Sequence, residues 1–311
     1  MGGALMSWFK RILFRSLASL AAALPMFGLE VASLHPLMAD LARQIGGDRI
    51  TVVELIGPGD NPHEFDPNPQ ALKNAANAPL ILASGKGLEA SYLPKIRDSL
   101  EPGQEIFEVG RRVHSLVAAD GNLAACNAHH RHTGIVDPHW WHDPDNMRRA
   151  ASDLAQKMGE LDPANADFYT ANAAVYRKSL QSLDDWIEMQ IEGIPPKQRI
   201  LATSHLAFGY LCQKYNLTAV GIQGINREDS PSAKSLGEII TYLRDEDVRA
   251  LFPEAGSNPK ALETVADEAG IELGEPLYTD GSGLPAGSGY EDMMRSNINA
   301  IVLGLKGPST Q

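Results

Sequence analysis

Cysteine is scarce and positive charge is in deficit in this chain. Two cysteines in 311 residues, Cys126 and Cys212, leave room for one disulfide at most. Lys and Arg number 27 against 39 Asp and Glu, for a formal charge of −12. That balance argues against nucleic acid or an anionic membrane as partner. The apolar run nearest the N-terminus, Ser16 to Leu24, is about half of the ~20 residues that a membrane-spanning helix needs. No H-E-x-x-H pair and no G-x-S-x-G elbow occurs, which removes two common signatures of hydrolytic enzymes.

What the N-terminal region does contain reads as an export signal. Lys10, Arg11 and Arg15 precede the short apolar stretch, and Ala21 and Ala23 offer an A-x-A cleavage pattern. Residues 1–23 are therefore expected to be a signal peptide, with a non-cleaved anchor as the alternative. No cysteine lies near the cleavage region, so a lipid anchor is not expected, and the mature protein is placed as a soluble protein in a periplasm. Cleavage removes three positive and no negative charges, moving the formal charge from −12 to −15. In an exported chain an even cysteine count suggests a Cys126–Cys212 disulfide, with two buried thiols as the alternative.

Roughly 290 mature residues exceed what one core usually holds. Apolar, β-branched runs predict strands at 29–34, 50–56, 79–84 and 105–109, then at 199–204, 217–222, 248–254 and 271–277. Helical periodicity fills the gaps at 36–46, 70–77, 89–99 and 145–160, then at 206–215, 233–245, 259–269 and 290–305. This alternation predicts two similar α/β domains, each with a parallel sheet covered by helices on both faces. Between Asp162-Pro163 and Gly193 nothing breaks a helical pattern. The expected organisation is thus an N-terminal domain at 24–162, one rigid linking helix at 163–193 and a C-terminal domain at 194–311. Asp162 is expected to cap that helix. A stiff connection of this kind permits only limited rocking between the domains.

Three histidines and one aspartate stand a short step beyond predicted strands: His63 in NPHEFDPNP, His139 in DPHWWHDP, His205 in TSHLAFGYL and Asp280 in YTDGSG. Separations of 76, 66 and 75 residues rule out a local zinc-finger knot. Open parallel sheets hold ligands outside the carboxyl ends of their strands. Two residues from each domain would then converge in the interdomain cleft. Three imidazoles with a carboxylate make a nitrogen-rich set that suits a tetrahedral Zn²⁺. A lone histidine at a strand end is more often a cap or a turn residue, and TDGSG is also an ordinary turn.

The same four segments resemble the ligand motifs of the metal-specific solute-binding proteins of ABC importers, the cluster A-I family. The resemblance covers essentially the whole mature chain. It implies two α/β domains joined by one long helix, and a carrier that brings zinc or manganese to a membrane permease, with no catalysis. His63, His139 and His205 would be ligands, with Asp280 completing the shell. Manganese-type members carry a carboxylate at the third position, so His205 aligns this chain with the zinc-type, ZnuA/AztC-like branch. His129, His130 and His132 resemble a shortened form of that branch's histidine-rich loop, and imply a secondary, weaker metal site. A periplasmic metallochaperone is a further candidate partner, and a monomer is expected. The competing readings are a manganese carrier of the same fold, a secreted zinc hydrolase and an adhesin-like surface protein. Asp280 argues against the hydrolase, because a fourth protein ligand leaves no position for an activated water.

Other residues near these motifs have less to say. His142 stands where the family commonly has an apolar residue, and is expected to cap the following helix or to hydrogen-bond locally. His35 is expected to be structural, and His114 has no local support for a role. Asp66, Asp143 and Glu254 are the candidates to receive the second N–H of a ligand imidazole.

Overall fold

The structure, a computed structural model, describes residues 28–57, 60–66, 69–117, 135–225 and 231–306. The expected signal peptide at 1–23, Cys126, His129, His130 and His132 lie outside the described residues.

Each of the eight predicted runs contains a strand, and the central ones, β1, β3, β5 and β7, are almost wholly buried between helical layers. The first four are β1 (Leu29–Ser33), β2 (Ile50–Glu54), β3 (Leu80–Ala83) and β4 (Glu105–Glu108). They make a parallel sheet in the order β2-β1-β3-β4. The second four are β5 (Ile200–Thr203), β6 (Thr218–Gly221), β7 (Ala250–Phe252) and β8 (Glu272–Leu273), again parallel, in the order β6-β5-β7-β8. The two sheets thus repeat one topology.

The helices between them are α1 (Pro36–Gly46), α2 (Pro69–Asn74), α3 (Leu93–Asp98), α4 (Pro144–Leu161), α5 (Ala166–Glu192), α6 (Gly209–Tyr215), α7 (Ala233–Asp245), α8 (Lys260–Ala269) and α9 (Tyr290–Lys306). The short helix α3 begins later than its periodicity predicts. The buried Glu89 carboxylate accepts the Ser84 and Gly85 amides at 2.6 and 3.1 Å. The chain from 84 to 89 therefore closes into a loop, with Gly85, Lys86 and Gly87 all at positive φ, before any helix can start.

The linking helix differs at its entry. Pro163–Asn165 forms one 3₁₀ turn, and the α-helix begins only at Ala166. Asp162 does not cap it. Its carboxylate instead accepts the Tyr169 hydroxyl at 2.6 Å and the Asn165 side-chain Nδ2–H at 2.7 Å. At ~1.5 Å per residue the 27-residue α5 spans about 40 Å.

Residues Tyr169, Ala173, Tyr176, Leu180, Leu183, Ile187 and Ile191 form one buried stripe down α5 at spacings of three and four. That stripe joins the inner faces of both sheets into one apolar interior, running from Val31, Leu80 and Leu82 to Leu201, Phe252 and Ile301. The alternate residues of the same strands face separate outer layers: Ala32, Ile81 and Ala83 in one half, Ala202 and Leu251 in the other. Lys214 on α6 adds a polar tie, reaching Asp143, Asp145 and Asp184 at 3.2, 2.7 and 3.0 Å. Those carboxylates belong to the start of α4 and to α5, so one ammonium spans both halves and the linker.

Candidate metal centre

The loop after β2 presents His63. It is held by the Asn61 side chain, which accepts the His63 amide at 3.0 Å, and by Ser91 and Tyr92, whose hydroxyls donate to the carbonyls of His63 and Pro62. Val117 and Val136 form an antiparallel bridge at the base of the segment leading to His139. His205 follows β5 after one residue. There Leu206 donates its amide to Gly224 and Ala207 donates to His205 itself, so α6 starts only at Gly209.

These three histidines meet. Their exposures are 9%, 0% and 0%, and one ligand atom from each lies within 4.8 Å of the others. His139 Nε2 is 3.2 Å from His63 Nε2 and 3.3 Å from His205 Nε2. Asp280 is 2% exposed, with its Oδ1 accepting the Ser282 amide at 2.8 Å. Its carboxylate is outside the 4.8 Å set. Gly281 is required next to it: its φ is +85°, and a Cβ there would fall 2.6 Å from Leu37 Cδ2.

Two buried carboxylates orient the imidazoles. Asp137 Oδ1 accepts both the His139 amide at 2.9 Å and His139 Nδ1–H at 2.8 Å. Glu254 makes the equivalent bond to His205 Nδ1. With both Nδ1 atoms donating, the Nε2 lone pairs of His139 and His205 point at one another across 3.3 Å. Two facing lone pairs repel unless positive charge lies between them. The arrangement therefore favours a bound cation.

Of the three carboxylates expected to take a second N–H, Glu254 does so. Asp143 caps α4 by accepting the Asp145 amide, and Asp66 pairs with Lys95 at the surface. Asp137 was missed. Its signal was local, since a carboxylate two residues before a ligand imidazole can hold that residue's amide and ring together. Burial pushes Asp137 up to about 7, against the opposing pull of the His139 amide and the charge of His205.

His142 neither caps α4 nor bonds locally. Its Nε2 donates to the Thr279 carbonyl at 2.9 Å, far along the chain, because the turn after His139 carries it into the wall between the two halves. His35 is structural as expected: its Nδ1 accepts the Leu37 amide at the start of α1. Burial lowers His35 to about 4, with the Asp280 charge opposing. Between pH 6.5 and 4 the unfolded chain thus binds a proton that the folded chain excludes. Stability present above pH 6.5 is lost as the pH falls, by about 3 kcal/mol from this group. In metal-stripped His35→Asn, which keeps a capping acceptor, urea midpoints should depend less on pH between 6.5 and 4.5 than in the native sequence. Parallel slopes would show that His35 does not carry this acid sensitivity.

Comparison with known proteins now decides the family. Residues 31–304 match the family described as ZnuA, zinc-uptake complex component A, periplasmic. The chain belongs to this family. ZnuA-family members are solute-binding proteins rather than enzymes. Among relatives, the chain is 30% identical over 286 residues to the manganese-binding lipoprotein MntA of Bacillus subtilis, covering 89% of this chain and 90% of that protein. It is 28% identical over 281 residues to MntA of Halalkalibacterium halodurans, covering 89% of each. The periplasmic zinc-binding protein TroA of Treponema pallidum shares the fold with a TM-score of 0.78 at 24% identity, over 90% of this chain and all of TroA. A ZnuA crystal structure gives 0.76 at 24%, over 88% of this chain and 98% of that one. Among the described residues no helix is long and apolar enough to cross a membrane.

Proposed function

We propose that this chain is the periplasmic receptor of an ABC metal importer. It captures one divalent cation between His63, His139, His205 and Asp280 and delivers it to the permease. Zinc is the preferred cargo, and the observation that carries this is the meeting of three buried imidazoles, a nitrogen-rich set whose spacing is compatible with it. Nitrogens bound ~2.0–2.1 Å from a tetrahedral Zn²⁺ lie about 3.3 Å apart. The Nε2 separations here are 3.2 and 3.3 Å. Capture needs no chemistry. Asp137 and Glu254 hold two imidazoles with Nε2 lone pairs inward, and Asp280 supplies charge to close the shell.

A manganese cargo is the second reading, favoured by the names of the MntA relatives. Manganese prefers oxygen-rich coordination, which three imidazoles do not supply. A competition titration of the metal-stripped mature protein, read against a chelator of known affinity, separates the two. One tight zinc equivalent with manganese far weaker is expected. Manganese bound as tightly as zinc would transfer the protein to the second reading.

Three further elements belong to the same proposal. His129, His130 and His132 form a weaker accessory site, visible as a second zinc equivalent. A Cys126–Cys212 disulfide ties the loop before His139 to α6, where Cys212 is buried. The domain limits 24–162, 163–193 and 194–311, a cleaved signal peptide, a monomeric state and a metallochaperone partner complete it.

A further inference from the structure

The imidazole of His142 joins the local chain around three of the four proposed ligands. It lies in the turn directly after His139. Its ring packs on Phe208, three residues beyond His205, with centroids 4.4 Å apart. Its Nε2 donates to the carbonyl of Thr279, the residue before Asp280. That carbonyl also accepts the Trp141 indole N–H at 2.7 Å, so two donors aim at one oxygen. A carbonyl oxygen has two lone pairs, and both are engaged. The peptide carrying Asp280 is thereby fixed from the opposite half of the molecule.

Neighbouring bonds support the same attachment. Tyr290 donates its hydroxyl to the Trp141 carbonyl at 2.7 Å, and Ser282 donates to the Asp60 carbonyl at 2.9 Å. His142 is fully buried, and its Nδ1 has no hydrogen-bond partner. A buried imidazole with one unsatisfied nitrogen is costly unless its other nitrogen is needed.

We infer that His142 is a positioning residue for Asp280, acting through the Thr279 carbonyl to hold the carboxylate ready for the incoming cation. This rests on Asp280 being a ligand. Residues that orient ligands from behind typically contribute 10–100-fold to metal affinity.

The test is a double-mutant cycle in the full mature chain, with Zn²⁺ affinity read by chelator competition. His142→Leu removes the donor and keeps an apolar side chain against Phe208. It should weaken zinc binding about tenfold when Asp280 is present and have little further effect in Asp280→Ala. His142→Gln, which can still donate an N–H, should recover part of the loss. An equal loss in both backgrounds would overturn the inference, since His142 would then act on the histidines or on the fold. An unchanged affinity in His142→Leu would overturn it too. Should His142→Leu not fold, Trp141→Phe removes the other donor to the same carbonyl and is read in the same cycle. An Asp280→Ala protein that binds zinc as tightly as the native one would instead remove Asp280 from the ligand set, and the inference with it.

Discussion

His205→Ala is expected to lower zinc affinity by two to three orders of magnitude. Structural zinc sites yield about 10–16 kcal/mol for four ligands, or roughly 2.5–4 kcal/mol for each. At 1.4 kcal/mol per factor of ten, one lost ligand costs on the order of 10²- to 10³-fold. His205 should fall at the upper end for a reason specific to this molecule. Its removal leaves Glu254, 4% exposed, without the imidazole it orients. A buried carboxylate that loses such a bond is costly in itself. Asp280→Ala should lose less, because its carboxylate lies outside the tight set formed by the three histidines. Chelator competition on both variants, with thermal melts of the metal-stripped forms as control, checks the order. A greater loss for Asp280→Ala would reverse the ranking and make the carboxylate the principal anchor.

Stripping the metal should lower the melting temperature by about 8 °C. A ligand present at 1,000 times its Kd stabilises the folded state by about 4 kcal/mol. For chains of 150–250 residues each kcal/mol moves the midpoint by roughly 2–4 °C, and a longer chain lies at the low end. The proposed ligands come from both halves of the protein, so removal of the cation should be felt by the entire transition. Differential scanning calorimetry with excess Zn²⁺ and with chelator measures it. In His205→Ala, at the same zinc concentration, the difference should shrink to about 3 °C or less. A shift of the same size in that variant would mean that the stabilising ion sits elsewhere.

The sheets were legible in the sequence because their central strands face helices on both sides and so read as unbroken apolar runs. Helices α1 and α7 were legible to the residue. Proline at the first turn and Gly47 at the end bracket the first, and Ser232 caps the second. Where a side chain competes with the backbone for hydrogen bonds, pattern reading failed. Glu89 delayed α3, and Asp162 turned to Tyr169 instead of capping α5. Of the candidate site, the convergence of His63, His139 and His205 was readable from strand ends alone. The partnership of Asp137 with His139 was readable in principle but hidden in a Pro-containing turn. The bond from His142 to Thr279 was not, since 137 residues separate them and only the packed molecule makes them neighbours.

The apolar stripe along α5 has a consequence for the protein as a folding unit. Helices α1 and α4 in the first half and α9 in the second all pack against that helix, so the two halves share one interior through it. The two domains should melt in a single calorimetric transition. A chain severed after Gly193 would leave the C-terminal piece with the side of α9 that packs on α5 open to water. Two sheets of matching topology have become inseparable: the halves can diverge in sequence, but they cannot be exchanged as modules.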